Sequence, residues 1–181
     1  MRNTYQIDAA HSSVQFRVRH LMVSNVRGTF SGVTGTVVYD PQEPGETAID
    51  ATIDVNTVST NDEKRDTHLK SADFFDVAQY PVMTFKSKSV KSAGEGSHTV
   101  TGDLSLHGVT KEVALTVEDV SDEAKDPWGN TKIGASAKGK IKRSDFGLTW
   151  NAPVETGGVL VGDDVKLEFD LQFLKAQNAT A

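Results

Sequence analysis

The sequence predicts an all-β protein of about eight antiparallel strands with one main helix near residues 61–72. Two observations predict the strands. Apolar and polar residues alternate with period two through most of the chain, and turn-forming residues punctuate the runs. A third observation predicts the helix: one segment breaks the alternation and carries helix-start chemistry.

In chain order, Val14, Phe16 and Val18 alternate with Gln15, Arg17 and Arg19. The stretch from Thr29 to Tyr39 reads as a strand less cleanly, and Ile49, Ala51, Ile53 and Val55 alternate with Asp50, Thr52 and Asp54. Thr60-Asn61-Asp62-Glu63 then fits a capping box, with Thr60 as N-cap, Glu63 reaching back to its amide and acidic residues at the positive end of the helix. Val82–Val90 reads as the next strand. It is followed by Val100–Leu106, Val113–Val117, Ile133–Ile141 and Val165–Phe173, each with one apolar and one wet face. Pro44-Gly45, Gly94-Glu95-Gly96, His107-Gly108, Pro127-Trp128-Gly129 and Gly157-Gly158 supply the turns. Residues 1–175 read as one domain and 176–181 as a frayed tail. Long one-sided strands bury their apolar faces either in a sandwich of two sheets or in a closed barrel, and periodicity does not separate the two. An eight-stranded barrel is just wide enough to hold one small ligand.

The 181 residues carry a net charge of −6, without the basic footprint of a nucleic-acid binder. No cysteine is present, which excludes disulfides, thiol nucleophiles and cysteine metal sites. No apolar run is long enough for a transmembrane segment or a secretory leader, so a cytoplasmic address is expected. The five histidines form no paired metal-binding spacing, and neither metal nor cofactor is expected. Gly134-Ala135-Ser136-Ala137-Lys138-Gly139-Lys140 imitates a phosphate loop. Ile141 stands where a Ser or Thr would bind Mg²⁺, and the run lies within a strand. There is no Gly-x-Ser-x-Gly elbow, and no catalytic set is assigned.

Several blocks together resemble the YceI-like family. They are Asp8–Leu21, Val26-Arg27-Gly28-Thr29-Phe30 with Gly32 and Gly35, His68–Asp76 with Tyr80-Pro81, Gly102–Thr110, and Arg143-Ser144-Asp145-Phe146-Gly147-Leu148. They span roughly residues 4–174 in order. The resemblance implies an eight-stranded antiparallel lipocalin-like barrel around a long apolar tunnel. It implies a polyisoprenoid, an isoprenoid quinone or a similar amphiphile as partner. Members are often dimers, which makes a homodimer the assembly it suggests, and many are periplasmic. The family carries no established catalytic residues.

The expected function is therefore to bind a long-chain apolar lipid as carrier or reservoir, without catalysis. Small inward residues at Gly102, Ala135, Ala137 and Gly139 would leave volume, unless Phe16, Phe30, Phe85 and Phe169 fill it. The expected lining is Phe16, Val18, Phe30, Ile53, Phe74, Phe75, Met83, Phe85, Leu104, Leu106, Ala137, Trp150 and Phe169, with His20, Arg143 and Asp145 near a head group. Two rival readings are an enzyme using His20 or His11 as base on such a lipid, and an interaction protein with a solid barrel.

Overall fold

The computed structural model describes residues 1–177, so the Asn178-Ala179-Thr180 glycosylation sequon and the predicted tail beyond residue 177 lie outside the described residues. Among the described residues there are twelve strands: β1 (Asn3–Ile7), β2 (Ser13–His20), β3 (Ser24–Phe30), β4 (Val33–Tyr39), β5 (Ala48–Asp54), β6 (Val58–Ser59), β7 (Val82–Gly94), β8 (Ser97–Leu106), β9 (Val109–Glu118), β10 (Ala124–Lys125), β11 (Thr131–Lys142) and β12 (Val161–Lys175). One α-helix, α1 (Glu63–Lys70), interrupts them.

The twelve strands make eight staves of a closed antiparallel barrel, because three staves are broken in two and β10 is an edge ribbon on β11. One edge of β12 pairs with β2 from Val161 to Asp170 and with β1 from Phe173 to Lys175. β2 in turn pairs with β3, and β1 with β4. β6 continues β5 along the same edge, pairing with β3 where β5 pairs with β4. The ring then runs through β7, β8, β9 and β11 and closes on the other edge of β12. The predicted strand Thr29–Tyr39 is thus two half-strands hinged at Ser31-Gly32. β1 carries Tyr5 and Ile7 inward on only five residues, too short for its alternation to stand out.

The helix departs from the capping-box reading. It starts at Glu63, and the cap is Asp62, whose Oδ1 accepts the Arg65 backbone N–H at 3.0 Å. Thr60 is otherwise engaged: its Oγ1 donates to Asp66 Oδ1 at 2.6 Å and accepts from Arg65 Nε at 2.7 Å. Asn61, in the left-handed region at φ 60°, separates the two. At the other end, Ser71 is already extended, so the helix stops at Lys70 rather than at residue 72.

The barrel interior changes character along its axis. β12 shows this in one strand: Val165, Leu167 and Phe169 line a cavity, whereas Phe173 and the adjoining Leu171 pack with Tyr5, Val37 and Ile133 in a solid cluster. The solid end also holds both ends of the described chain, tied where the Ala176 N–H donates to the Thr4 carbonyl at 2.8 Å. At the hollow end, α1 and the 148–160 loop contribute to the cavity lining.

Candidate functional site

The cavity occupies about 530 Å³ of the hollow half. Inward positions of β2, β5, β7, β8, β11 and β12 build its walls, since alternate residues on a strand share a face. Phe16, Phe30 and Phe75 form one aromatic chain down the wall, with ring centroids 5.5 and 5.8 Å apart. Nearer the opening, His68, Phe74 and Trp150 form a collar at 4.8–5.2 Å centroid separations. Most polar lining groups gather at that opening: Arg19 and His20 from β2, and Asp62, Lys64, Arg65 and His68 from the start and body of α1; Gln15, beside Phe16 on β2, is the exception.

The fold brings most of the expected residues to this cavity: Phe16, Val18, His20, Phe30, Ile53, Phe74, Phe75, Met83, Leu104, Leu106, Arg143, Trp150 and Phe169. Three lie elsewhere. Phe85 points inward, but its ring lies over Gly102, where an added Cβ would meet its Cζ at 2.6 Å. Leu115 fills the space above Gly139 in the same way. Of the small residues that suggested empty volume, Gly102 and Gly139 are therefore covered by large side chains from neighbouring strands. Ala137, opposite Phe169 and Val117, is level with the cavity's Phe169 but is not part of the lining. Asp145 is exposed, because the tight turn Arg143–Phe146 directs Arg143 and Phe146 inward and leaves Asp145 outside.

Arg143 lines the cavity, but its donors are spent on backbone. It is 6% exposed and donates to the carbonyls of Gly162, Leu148, Trp150 and Val161 at 2.8–3.2 Å. Burial pushes its pKa down, with the Asp163 carboxylate pulling the other way. It pins both sides of the mouth loop rather than presenting a free charge. The two histidines of the enzymatic reading are separated. His11 lies outside this cavity with Nδ1 2.9 Å from Asp8 Oδ2, whereas His20 lines it and forms no ion pair among the described residues.

Sequence reasoning passed over Val14, Val26, Ile141, Val165 and Leu167, although all share the inward parity of residues that it chose. It also passed over His68, whose Nε2 lies 2.8 Å from Asp73 Oδ2 at the collar, because nothing in the helical spacing marks the side that meets Trp150.

The model of the YceI-like domain family matches residues 5–173. The chain belongs to the YceI-like family. It is 43% identical over 147 residues to Protein YceI of Salmonella newport, covering 80% of this chain and 76% of that one. The Campylobacter jejuni YCEI protein, at 34% identity, superposes with a TM-score of 0.74 over 88% of this chain and 90% of its own. Burkholderia cenocepacia BcnA gives 0.80 at 26% identity, over 92% and 98% of the two chains. A polyisoprenoid binding domain from Saccharophagus degradans, at 19% identity and a TM-score of 0.67, shares the barrel fold over 95% of this chain and 98% of its own.

Proposed function

We propose that this YceI-like barrel binds a long-chain apolar amphiphile, a polyisoprenoid or isoprenoid quinone, with its tail in the cavity, as carrier or reservoir and without chemistry on it. The observation that carries the reading is the predominantly apolar cavity, whose polar lining groups, Gln15 apart, gather toward the mouth. Its volume of about 530 Å³ falls within the range of small-molecule sites, roughly 300–1,000 Å³. Each methylene buried there contributes about 0.8 kcal/mol, so a tail of modest length binds without any polar anchor. The Saccharophagus degradans domain of the same fold, named for polyisoprenoid binding, supports the ligand class.

Native mass spectrometry of protein purified from its own host tests the reading, together with titration of delipidated protein by a long-chain prenyl lipid. The expected results are an apolar adduct of one molecule per chain and saturable binding. Leu104→Trp, which places a ring in the cavity, should weaken that binding while leaving the fold intact. Absence of both adduct and saturable binding would overturn the proposal.

A further inference from the structure

We propose that the β2–β3 hairpin is a docking surface for an anionic lipid bilayer, seating the cavity mouth on the membrane. The docking itself follows from the surface; its purpose rests on the lipid-binding reading above.

The tip of the hairpin is apolar and bare. Leu21, Met22 and Val23 are 43%, 57% and 73% exposed, and Val159 beside them is 42% exposed. The two segments touch: the Leu21 N–H donates to the Leu160 carbonyl at 2.8 Å, and Met22 Cγ reaches the side of Gly158. The backbone is also strained there. Leu21 and Met22 sit at φ 52° and 60°, a region that side chains with a Cβ rarely adopt and that favours Gly, Asn or Asp. Arg19 Nη2 holds the turn by donating to the Met22 carbonyl at 3.2 Å. Strain and exposed apolar surface both cost the isolated fold, and such strain concentrates at functional sites.

The outer face behind the tip is cationic. Lys140 lies opposite Lys166, Lys166 opposite Arg17, and Arg17 opposite Arg27, in one row across β11, β12, β2 and β3. Like charges directly opposite in a sheet destabilise it. Glu168 and Asp164 offset part of this at 3.4 Å from Arg17 and 3.7 Å from Lys140. Arg27 and Lys166 have no carboxylate within 4.0 Å among the described residues. This row stands on a chain of net charge −6, so it does not reflect composition.

The spacing fits a bilayer end-on. At about 3.3 Å per residue, Arg19 stands about 7 Å behind Leu21 and the row at Arg17 about 13 Å behind it. With the tip at the hydrocarbon boundary, Arg19 falls among the head groups and the row at their outer edge, within the roughly 8–10 Å reach of surface charge in physiological salt. Leu160, Val161 and His20, which line the mouth, adjoin the same tip. A second copy of the chain fits less well, because a two-fold contact through this hairpin sets each cation row against its own image.

Flotation of the full chain with vesicles of phosphatidylglycerol and phosphatidylcholine in equal amounts, against phosphatidylcholine alone, tests the proposal. Binding is expected to the anionic vesicles and to weaken with salt. Removing a charge with Arg27→Gln or Lys166→Gln should weaken it about fivefold each. The doublet Leu21→Asn with Met22→Asn should weaken it at least about tenfold while leaving the thermal midpoint equal or higher, because Asn tolerates the left-handed turn. Titration with a short water-soluble prenyl amphiphile should be unchanged in all three variants. Lost solution binding in wild type with intact docking would sink the function reading alone. Equal binding to neutral vesicles, no vesicle binding, or an unaffected Asn doublet would overturn the docking surface. So would preference for duplex DNA over anionic vesicles, or a wild-type dimer that the Asn doublet splits.

Discussion

Phe16 owes its position to Gly28 on the neighbouring strand. The Phe16 ring fills the place where any side chain at residue 28 would stand. With Gly28→Ala the far end of that ring has to move, and the open direction is the cavity. Stability of the unliganded protein should therefore fall by less than about 1 kcal/mol, while prenyl-lipid affinity drops. Gly102→Ala meets the Lys86 backbone carbonyl as well as the Phe85 ring, which cannot give way, and should cost about 1–3 kcal/mol. Urea denaturation with lipid titration of both variants checks this, and the reverse order of costs would contradict it. These glycines show where sequence legibility ends. Inward parity at Gly102 and Gly139 follows from alternation within one strand. Whether a small residue leaves space depends on Phe85 and Leu115, which arrive from neighbouring strands at a register that no local pattern encodes.

The helix was legible in its existence and not in its cap. Thr60, Asp62 and Glu63 are all competent capping chemistry within four residues, and the choice among them is made by a left-handed Asn61 and by the hold of Arg65 and Asp66 on Thr60. The Arg65 N–H keeps the Asp62 carboxyl below its usual pKa, as a cap should. Asp62→Ala should lower the thermal midpoint by about 2–4 °C. Glu63→Ala, which would break the rejected capping box, should leave it unchanged. Thermal melts of the two variants decide between the caps. The strands were legible as faces but not as staves. A break such as Ser31-Gly32 leaves the alternation on each side intact, so twelve strands and eight staves look alike in sequence.

The solid end of the barrel carries a polar tie. There Tyr5 on β1 donates to Glu123 Oε1 at 2.6 Å, and Lys175 on β12 reaches the same oxygen at 2.7 Å. Burial, then the hydrogen bond to Glu123, pushes the Tyr5 phenol up to about 12. An unfolded tyrosine titrates near 10. The native state therefore holds a proton that the unfolded state releases, so this stabilisation is complete below about pH 10 and is lost as the pH rises toward about 12. Tyr5→Phe should flatten the decline of stability across that window, leaving the smaller slope from Tyr39, whose phenol burial also pushes up. Urea midpoints from pH 9 to 12 for both proteins measure it; identical slopes would refute it. At this scale the family blocks made the barrel legible. The division into a solid and a hollow half was not, because it is set by which distant side chains meet along the axis.

That division gives the cavity a floor. Phe169 borders the hollow, and Leu171, Phe173, Ile133 and Tyr5 pack together beyond it. A tail entering from the mouth gains about 0.8 kcal/mol with each methylene until its end reaches that floor; later carbons stay outside and add little. On the proposed function the barrel would act as a depth gauge, sorting tails by how far they reach.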